Sequence, residues 1–583
     1  NIYGDTLYGD GSNLTGITGT TINNNADNRV ITGSGSANTL NGESSLLFDG
    51  SMLTVNDVRV GKGANSISTN CVIGTETLVG SVSGTHNTAL GNRTLNALTT
   101  GDANTAVGFN AGAAITTGDY NVSVGRSAHG NLTTGSNNTA IGWKSQLFNS
   151  TASNNTSLGF QALYGSSLTG SSNSAVGAYS LDANQSGSNN VAFGINSLSS
   201  NTTASDNTAV GAGAMDGNTT GSRNTAVGRG ALDLNTTANN NTAVGYNCLD
   251  ANTTGTENVS VGAFSMGANS TGGQNTALGE SALGNNTTAS KNTAIGKNAL
   301  VQNTTGSENV AIGNEALEAN TTAANNTAVG HQALHDNSTG ARCTAVGTNA
   351  LADNTTANNN NAFGYQALLL NTTGNANNAF GKSSLDANTT GSNLTAIGHN
   401  ALGGNTTASN NTAIGYQCLS TNTTGTNNTA VGTNAGLSIT TGGGNTAVGK
   451  SALDSCTTAG VNTAIGMNAL EASTTGGENT AVGYEALQLT TTGNQNVAVG
   501  AYALENNQTG ASNVAVGYKA AESNLASHIT AVGYYAALRN STGERNTAIG
   551  RLALEQNQTG HSNTAVGYNC LEENTNNFNT AVG

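Results

Sequence analysis

Apolar and polar positions recur along this chain with a period of 17 residues. In the unit from Asn292 to Glu308 (NTAIGKNALVQNTTGSE), counting the Asn as position 1, apolar residues stand at positions 3, 4, 8 and 9, as they do in most units. Short β-branched and apolar runs bounded by Gly and Asn are typical of strands and turns, and no 3.6-residue period is present. The pattern predicts two short strand-like segments and two turns per unit, and it excludes a helical solenoid.

The register of the repeat is kept over most of the chain. Thirty glycines close an Asn-Thr-Ala-Val-Gly type motif between Gly91 and Gly583, and only three of the intervals depart from 17 residues, each by one. A unit of 17 residues is too small to close a core alone, so stacked units must share one. We therefore predict an all-β, parallel β-solenoid of about 30 coils rather than a disordered low-complexity chain.

Each position of the repeat can be interpreted physically. Position 5 is always Gly, which indicates a positive φ or a close backbone approach. The Gly at position 15 is replaced by Ala in several units, so that site needs only a small residue. Position 4 (Val, Ile, Leu or Phe) and the Ala-Leu pair at positions 8 and 9 are expected to be buried. Position 3 is always Ala or Ser and is expected to face a second, crowded surface. The structural glycines assigned to position 5 include Gly108, Gly211, Gly313, Gly415 and Gly517.

Composition narrows the classes of protein to consider. Only 8% of residues are charged, and the net charge is −15. The absence of Pro suits a sheet in which every strand donates its N–H groups to a neighbour. The acidic balance argues against a nucleic-acid partner, and no apolar run is long enough for membrane insertion. Asn at position 1 in 27 units, and often at position 12, predicts side-chain amide ladders. Because the chain begins at Asn1 without Met and stops within a motif, we expect a piece of a longer protein.

Candidate chemistry is sparse. The six Cys follow the repeat without a Cys-x-x-Cys pair, and the seven His are scattered, so we predict free thiols and no catalytic, metal or cofactor-binding residues. One surface feature remains open. Position 6 is rich in aromatic and basic residues, which could form a glycan-contacting stripe or merely a solvated shaft surface. The candidate stripe comprises Phe109, Trp143, Tyr246, Lys297, Tyr365, Tyr416, Tyr484 and Tyr518.

The repeat resembles the Asn-Ser-Val-Ala-Ile-Gly-x-x-Ser repeat of trimeric autotransporter adhesin heads. Aligned on the Gly, Thr208 and Val210 take the places of that motif's inward residues, and Ala209 takes the place of its small residue. The family's coil has about 14 residues, so this chain has a longer turn carrying Asn-Thr-Thr. The resemblance covers roughly residues 71–583 and implies a β-roll in an elongated homotrimer. The constant small residue at position 3 favours the same oligomer.

The first 70 residues differ from the repeat. The segments 8–17 (YGDGSNLTGI), 28–43 and 47–55 resemble segments of tail-fibre proteins of marine and cyanobacterial phages. The last of these predicts a hairpin that turns at Asp49-Gly50. We therefore predict a β-rich connector over residues 1–70 and a repeat shaft over residues 71–583.

Together these resemblances imply a non-enzymatic spacer of a viral tail fibre that supports attachment to the host surface. Its expected partners are itself, other virion tail components, and a host glycan or protein receptor. A bacterial trimeric surface adhesin or extracellular filament is the alternative, at the cell surface rather than on a virion. Ice binding by Thr ladders is a third hypothesis. It is disfavoured because the two Thr of Asn-Thr-Thr are adjacent, so only one can point outward.

Overall fold

The computed structural model describes residues 21–23, 29–33, 39–48 and 52–583. It forms two compact units, Asn1–Thr254 and Gly255–Gly583. The described residues contain no α-helix; a 3-10 turn covers Ala64–Ser66. The strands of the first unit are Thr21–Asn23, Arg29–Gly33, Thr39–Phe48, Met52–Val55, Val58–Gly61, Cys71–Gly74, Thr88–Leu90, Thr105–Val107, Val122–Val124, Thr139–Ile141, Thr156–Leu158, Ser174–Val176, Val191–Phe193, Thr208–Val210, Thr225–Val227 and Thr242–Val244.

The second unit consists of the same coil repeated, with one three-residue strand at positions 2–4 of each. Its strands are Val259–Val261, Thr276–Leu278, Thr293–Ile295, Val310–Ile312, Thr327–Val329, Thr344–Val346, Asn361–Phe363, Asn378–Phe380, Thr395–Ile397, Thr412–Ile414, Thr429–Val431, Thr446–Val448, Thr463–Ile465, Thr480–Val482, Val497–Val499, Val514–Val516, Thr530–Val532, Thr547–Ile549, Thr564–Val566 and Thr580–Val582.

Within each unit, neighbouring coils pair in parallel and in register, as in Thr208↔Thr225 and Thr293↔Val310. This confirms the predicted parallel β-solenoid with its 17-residue period. The predicted second strand of each coil is wrong: positions 6–11 form turns, although their backbone still bonds to neighbouring coils. Examples are Met215 N–H to the Ala231 carbonyl at 3.0 Å and Gly217 N–H to the Asp233 carbonyl at 2.8 Å.

The coil interior is lined by positions 3, 8 and 9. In the coil that starts at Asn207, Ala209, Ala214 and Met215 are all fully buried. The expected burial of the pair at positions 8 and 9 is therefore confirmed. The orientation predicted for the strand is wrong, because position 3 points inward while positions 2 and 4 are half-buried or exposed, as Phe193 is at 57%.

The physical reason is the width of the coil. In most coils one large apolar side chain, usually the Leu at position 9, fills the interior, so the opposing strand has room only for Ala or Ser. Two coils carry Gly at position 9 instead, and both place Ile at position 12, where other coils have mostly Asn. The Cδ1 atom of Ile115 lies 3.1 Å from where a Cβ on Gly112 would be, and Ile439 lies equally close to Gly436 at 3.0 Å. The same volume is therefore supplied from a different position.

Buried Leu residues at position 9 have a left-handed backbone. Leu317 has φ of 53° and Leu487 also has 53°, although this region costs a non-Gly residue about 1–2 kcal/mol. A residue of this conformation breaks the alternation of a strand, so positions 8 and 9 can both point inward. Burying the Leu side chain contributes about 1.5–3 kcal/mol and offsets that cost.

Asn side chains link neighbouring coils, as predicted. Asn309 Oδ1 accepts the N–H of Asn326 at 2.9 Å, and its Nδ2 donates to the Ala323 carbonyl at 2.9 Å. Position 12 forms an amide-to-amide ladder, in which Asn320 Nδ2 donates to Asn303 Oδ1 at 2.8 Å. These side chains are buried, so their amides provide hydrogen bonds to polar groups that water does not reach.

The first coil is flanked by antiparallel strands. Val58–Gly61 pairs antiparallel with Cys71–Gly74, which then pairs parallel with Thr88–Leu90. The predicted hairpin is confirmed in its pairing, Leu47↔Thr54 and Phe48↔Leu53, while its turn at Asp49-Gly50 lies outside the described residues. The division into a connector and a shaft at residues 70/71 stays a prediction.

One-residue changes in coil length are absorbed by turns. The 18-residue interval between Gly159 and Gly177 leaves the strands Thr156–Leu158 and Ser174–Val176 paired in register. The 16-residue interval before Gly533 likewise preserves the pairing of Val514–Val516 with Thr530–Val532. Strand register therefore survives a change of one residue in turn length.

Candidate functional site: the outward position-6 stripe

Position 6 immediately follows the Gly at position 5 and projects from the surface. Because coils stack in register, residues 17 apart in the chain become neighbours. The structure places all eight predicted stripe residues at exposed positions of their units: Phe109, Trp143 and Tyr246 in the first, and Lys297, Tyr365, Tyr416, Tyr484 and Tyr518 in the second. Whether they bind a ligand stays a prediction.

In the first unit the stripe forms a run of contacting rings. Trp143 and Phe160 have ring centroids 4.7 Å apart, and Tyr179, at position 7 of the next coil, lies edge-on to Phe160 at 5.2 Å. The Arg126 guanidinium lies 5.6 Å from the centre of the Phe109 ring. Aromatic faces bordered by cations can stack against sugar rings or other flat apolar groups.

A shallow depression of about 380 Å³ interrupts the stripe in the same unit. It opens where Ala212, Gly213 and Gly230 replace the larger residues that most coils carry at positions 6 and 7. Tyr246 closes one end, with the Arg229 guanidinium 5.9 Å from its ring centre. Asp216 and Asp233 also line the depression, so it combines an apolar surface with charges of both signs.

In the second unit the densest part of the stripe is formed by tyrosines. Ring centroids are 5.5 Å apart for Tyr518 and Tyr534, both at position 6, and Tyr502, at position 7 of the preceding coil, lies 5.8 Å from Tyr518. A hydrogen bond with Glu485 is the main reason that the pKa of Tyr484 is raised to about 12. Elsewhere, Lys297 forms an ion pair with Glu280 at 3.3 Å.

Carboxylates line up at position 10. Burial raises the pKa of Asp182 to about 6. Burial, followed by repulsion from Asp216 and Asp250 in the adjacent coils, raises the pKa of Asp233. Burial is thus the main cause of both shifts, and for Asp233 the neighbouring carboxylates of the column add to it.

A buried polar cluster interrupts the apolar interior of the first unit. His129 occupies position 9, and its Nδ1 lies 2.8 Å from Ser123 Oγ. Sequence analysis predicted no nucleophile–base pair, yet the structure brings this Ser and His together. Both are buried, so a substrate cannot reach the hydroxyl. Burial lowers the pKa of His129 to about 4.

The cysteines are free thiols, as predicted. Burial raises the pKa of Cys248 and of Cys418 to about 12, and of Cys343 and Cys456 to about 11. Reactivity requires the thiolate, so these four behave as small apolar residues.

The Thr pair at positions 13 and 14 has one member engaged and one exposed. Thr304 Oγ1 donates to the Thr321 carbonyl of the next coil at 3.0 Å, while Thr305 is exposed. The outward surface of this turn is therefore a single file of Thr rather than the paired Thr-x-Thr array on which the ice-binding hypothesis depends.

No protein-family model matches the chain, and no curated protein matches it. Across the described ranges of the chain, no helix has the length and apolar character needed to cross a bilayer.

Sequence analysis missed one cluster, formed by Glu315, Glu318 and His335. Familiar metal-binding motifs place their ligands at short spacings, whereas these residues belong to consecutive coils. The signal lies at a spacing of 17: Glu318 and His335 both occupy position 10.

Proposed function

We propose that the chain is a structural fibre whose stacked coils act as a length-setting spacer. The observation that carries this is the repetition of one interface, in which each coil of a unit contacts its neighbours through the same strand pairing, Asn ladder and core position. In such an array a coil can be added or removed with only nearest-neighbour contacts changed. The shallow surface offers a broad face for contact rather than an enclosed reaction chamber.

The proposed setting is a viral tail fibre that supports attachment to the host cell surface. It rests on the resemblance of the N-terminal segments, of which residues 8–17 lie outside the described residues. The corresponding partners are other virion tail components and a host glycan or protein receptor. A bacterial surface adhesin or extracellular filament is the alternative, supported by the repeat's resemblance alone. The flanking sequence would separate the two, and a thermal hysteresis measurement would detect ice binding.

We further propose that the fibre is a homotrimer, and the outward face of the strand supports this. Position 4 is apolar in all thirty coils, and neither position 2 nor position 4 carries a charge in any of them. Residues such as Ile312 and Ile397 are nevertheless 37% and 41% exposed. The position-4 side chains form an apolar ladder with one rung per coil. The simplest partner that fits this spacing is a surface with the same repeat, which is another copy of this chain.

The trimer is tested by placing charges on that face. Ile312→Lys and Ile397→Lys together should convert a trimer to monomers in sedimentation equilibrium, since burying two unpaired ammonium groups per chain is costly. Thr348→Lys with Thr433→Lys is the matched control, because Lys already occurs at position 6. A wild-type chain that sediments as a monomer would refute the trimer and leave the solenoid intact.

The spacer proposal predicts the effect of removing whole coils. Deleting residues 377–478, six coils of the second unit, joins two ordinary units in register. The product should fold, and its second unit should be shorter by about 29 Å at roughly 4.8 Å per coil. Small-angle scattering or electron microscopy would measure the change.

A second deletion, of residues 377–469, ends inside a coil and serves as the control, since it should disrupt stacking. In the proposed setting, the six-coil deletion should weaken host attachment without abolishing it. Complete loss of binding by the purified, folded fibre would instead make the deleted segment, which contains Tyr416, a true ligand site. The spacer proposal would then be wrong.

A further inference from the structure

The Glu315, Glu318 and His335 cluster has the donor set of a transition-metal site. Glu315 and Glu318 occupy positions 7 and 10 of one coil, and His335 occupies position 10 of the next. One ligand atom from each lies within 4.8 Å of the other two. Among the residues that the structure describes, no other group of three or more His, Cys, Asp or Glu meets this condition.

The residues around the cluster hold these ligands in place. His335 Nδ1 lies 2.6 Å from Asp336 Oδ1, which leaves Nε2 directed at Glu318 Oε2, 3.0 Å away. Gln332 Nε2 donates to Glu315 Oε2 at 2.9 Å. Metal-binding His residues usually donate their second ring N–H to a carboxylate, and metal-binding carboxylates are usually hydrogen-bonded in turn.

The side chains are accessible without being fully solvated. His335 is 30% exposed and Glu318 is 24% exposed. Two carboxylate oxygens and one imidazole nitrogen suit zinc and related divalent transition metals, whereas Ca²⁺ and Mg²⁺ prefer oxygen donors alone.

We propose that Glu315, Glu318 and His335 bind one divalent transition-metal ion of the zinc class and thereby cross-link two consecutive coils. The ion replaces the direct contact between His335 Nε2 and Glu318, and its remaining coordination positions are filled by water. Asp336 is a positioning residue, because it holds the imidazole through Nδ1. Cross-linking two coils should raise the local stability of the array.

The chain itself provides a conservative test variant. At the equivalent position-10 pair farther along the unit, Gln488 Nε2 donates to Glu471 Oε2 at 2.7 Å. His335→Gln therefore recreates a pair that this fold already contains, and the variant is expected to fold. His331→Gln, at position 6 of the same coil and outside the cluster, is the matched control.

The experiment uses the full chain, freed of metal with EDTA and then desalted. Titration with Zn²⁺ in a calorimeter should show one site per chain, unchanged in His331→Gln and lost in His335→Gln. Asp336→Asn should keep the stoichiometry and weaken affinity by about 10–100-fold. Co²⁺ should give a visible absorption band in wild type, and Zn²⁺ should slow amide exchange in residues 309–342.

Two results would overturn the proposal. One is an absence of Zn²⁺ binding to the wild type, which would leave the cluster an ordinary ion pair. The other is equal binding by wild type and His335→Gln, which would place the metal elsewhere. Circular dichroism of each variant confirms that a lost site does not reflect a lost fold.

Discussion

Gly483→Ala is expected to destabilise the second unit by at least about 3 kcal/mol. Gly483 has φ of 140°, and a Cβ there would lie 2.6 Å from the carbonyl carbon and oxygen of Gly500 in the next coil. Gly500 donates its N–H to the Val482 carbonyl at 2.8 Å and its own carbonyl accepts the Ala503 N–H at 3.3 Å, so neither atom can move without disturbing these bonds. Thermal unfolding and amide exchange of residues 479–516 would measure the loss.

Gly493→Ala in the same coil is the matched control and should cost about 1 kcal/mol or less. A Cβ on Gly493 would also lie 2.6 Å from a carbonyl oxygen, that of Gly510, but its φ is not left-handed. Position 15 carries Ala in several coils, so this turn can shift to admit a methyl group. Equal losses for the two variants would contradict the separate roles assigned to positions 5 and 15.

The distribution of Ala at position 15 sets a limit on that tolerance. No two consecutive coils carry it: Ala289 and Ala323 are separated by Gly306, and Ala323 and Ala357 by Gly340. A Cβ on Gly306 would lie 2.1 Å from the Ala323 carbonyl oxygen. A turn displaced by its own methyl group is thus accommodated by a Gly in the coil beside it.

The second large effect is a pH-dependent loss of stability in the first unit through His129. Its pKa is lowered to about 4 from an ordinary value of 6.5, because the ring is fully buried. Its Nε2 has no hydrogen-bond partner among the described residues, and a hydrogen bond between the ring and Gln146 offsets the cost of burying the charge only in part. Between pH 6.5 and 4 the unfolded chain binds a proton that the folded chain excludes.

The free energy of unfolding should therefore fall as the pH falls through that window, by about 3 kcal/mol in all, and this contribution should be constant below pH 4. His129→Leu should remove the dependence. The coil that contains Leu95 and Leu98 already places Leu at both position 9 and position 12, so the variant has a precedent in this chain.

Carboxylates with raised pKa values, such as Asp182, act in the opposite direction, so the difference between the two proteins is the quantity to compare. Amide exchange of residues 121–157 at pH 7 and pH 4 measures it. Identical pH profiles for wild type and His129→Leu would show that His129 does not titrate against folding.

The fold could be predicted from the sequence at those repeat positions whose residue type is compatible with only one conformation or one degree of burial. The period, the Gly at position 5, the inward Ala-Leu pair and the Asn ladders all follow from residue types that recur at one place in the repeat. The orientation of the strand did not follow, because Val or Ile at position 4 suits either face of a three-residue strand. The left-handed Leu residues were also missed, since Leu gives no composition signal for positive φ.

The candidate site was predictable in position but not in contacts. Position 6 follows an invariant Gly and varies, which identified Trp143 and Tyr518 as surface residues. The pairing of Trp143 with Phe160, and the cluster around His335, depend on side-chain directions in adjacent coils. The period of the repeat shows which residues are neighbours in adjacent coils, but it does not determine the rotamers of their side chains.

The outward ladder also has a consequence for axial alignment in the proposed homotrimer. A face that repeats with every coil would give nearly the same contacts if one copy slid along another by a single coil. The regular coils therefore cannot define the axial alignment of the copies. The 18-residue interval between Gly159 and Gly177 keeps its strand in register but enlarges its turn. After a one-coil slip this turn would face an ordinary one on the neighbouring copy. In such a trimer the irregular coils would serve as alignment marks, and the regular coils between them would set only the distance.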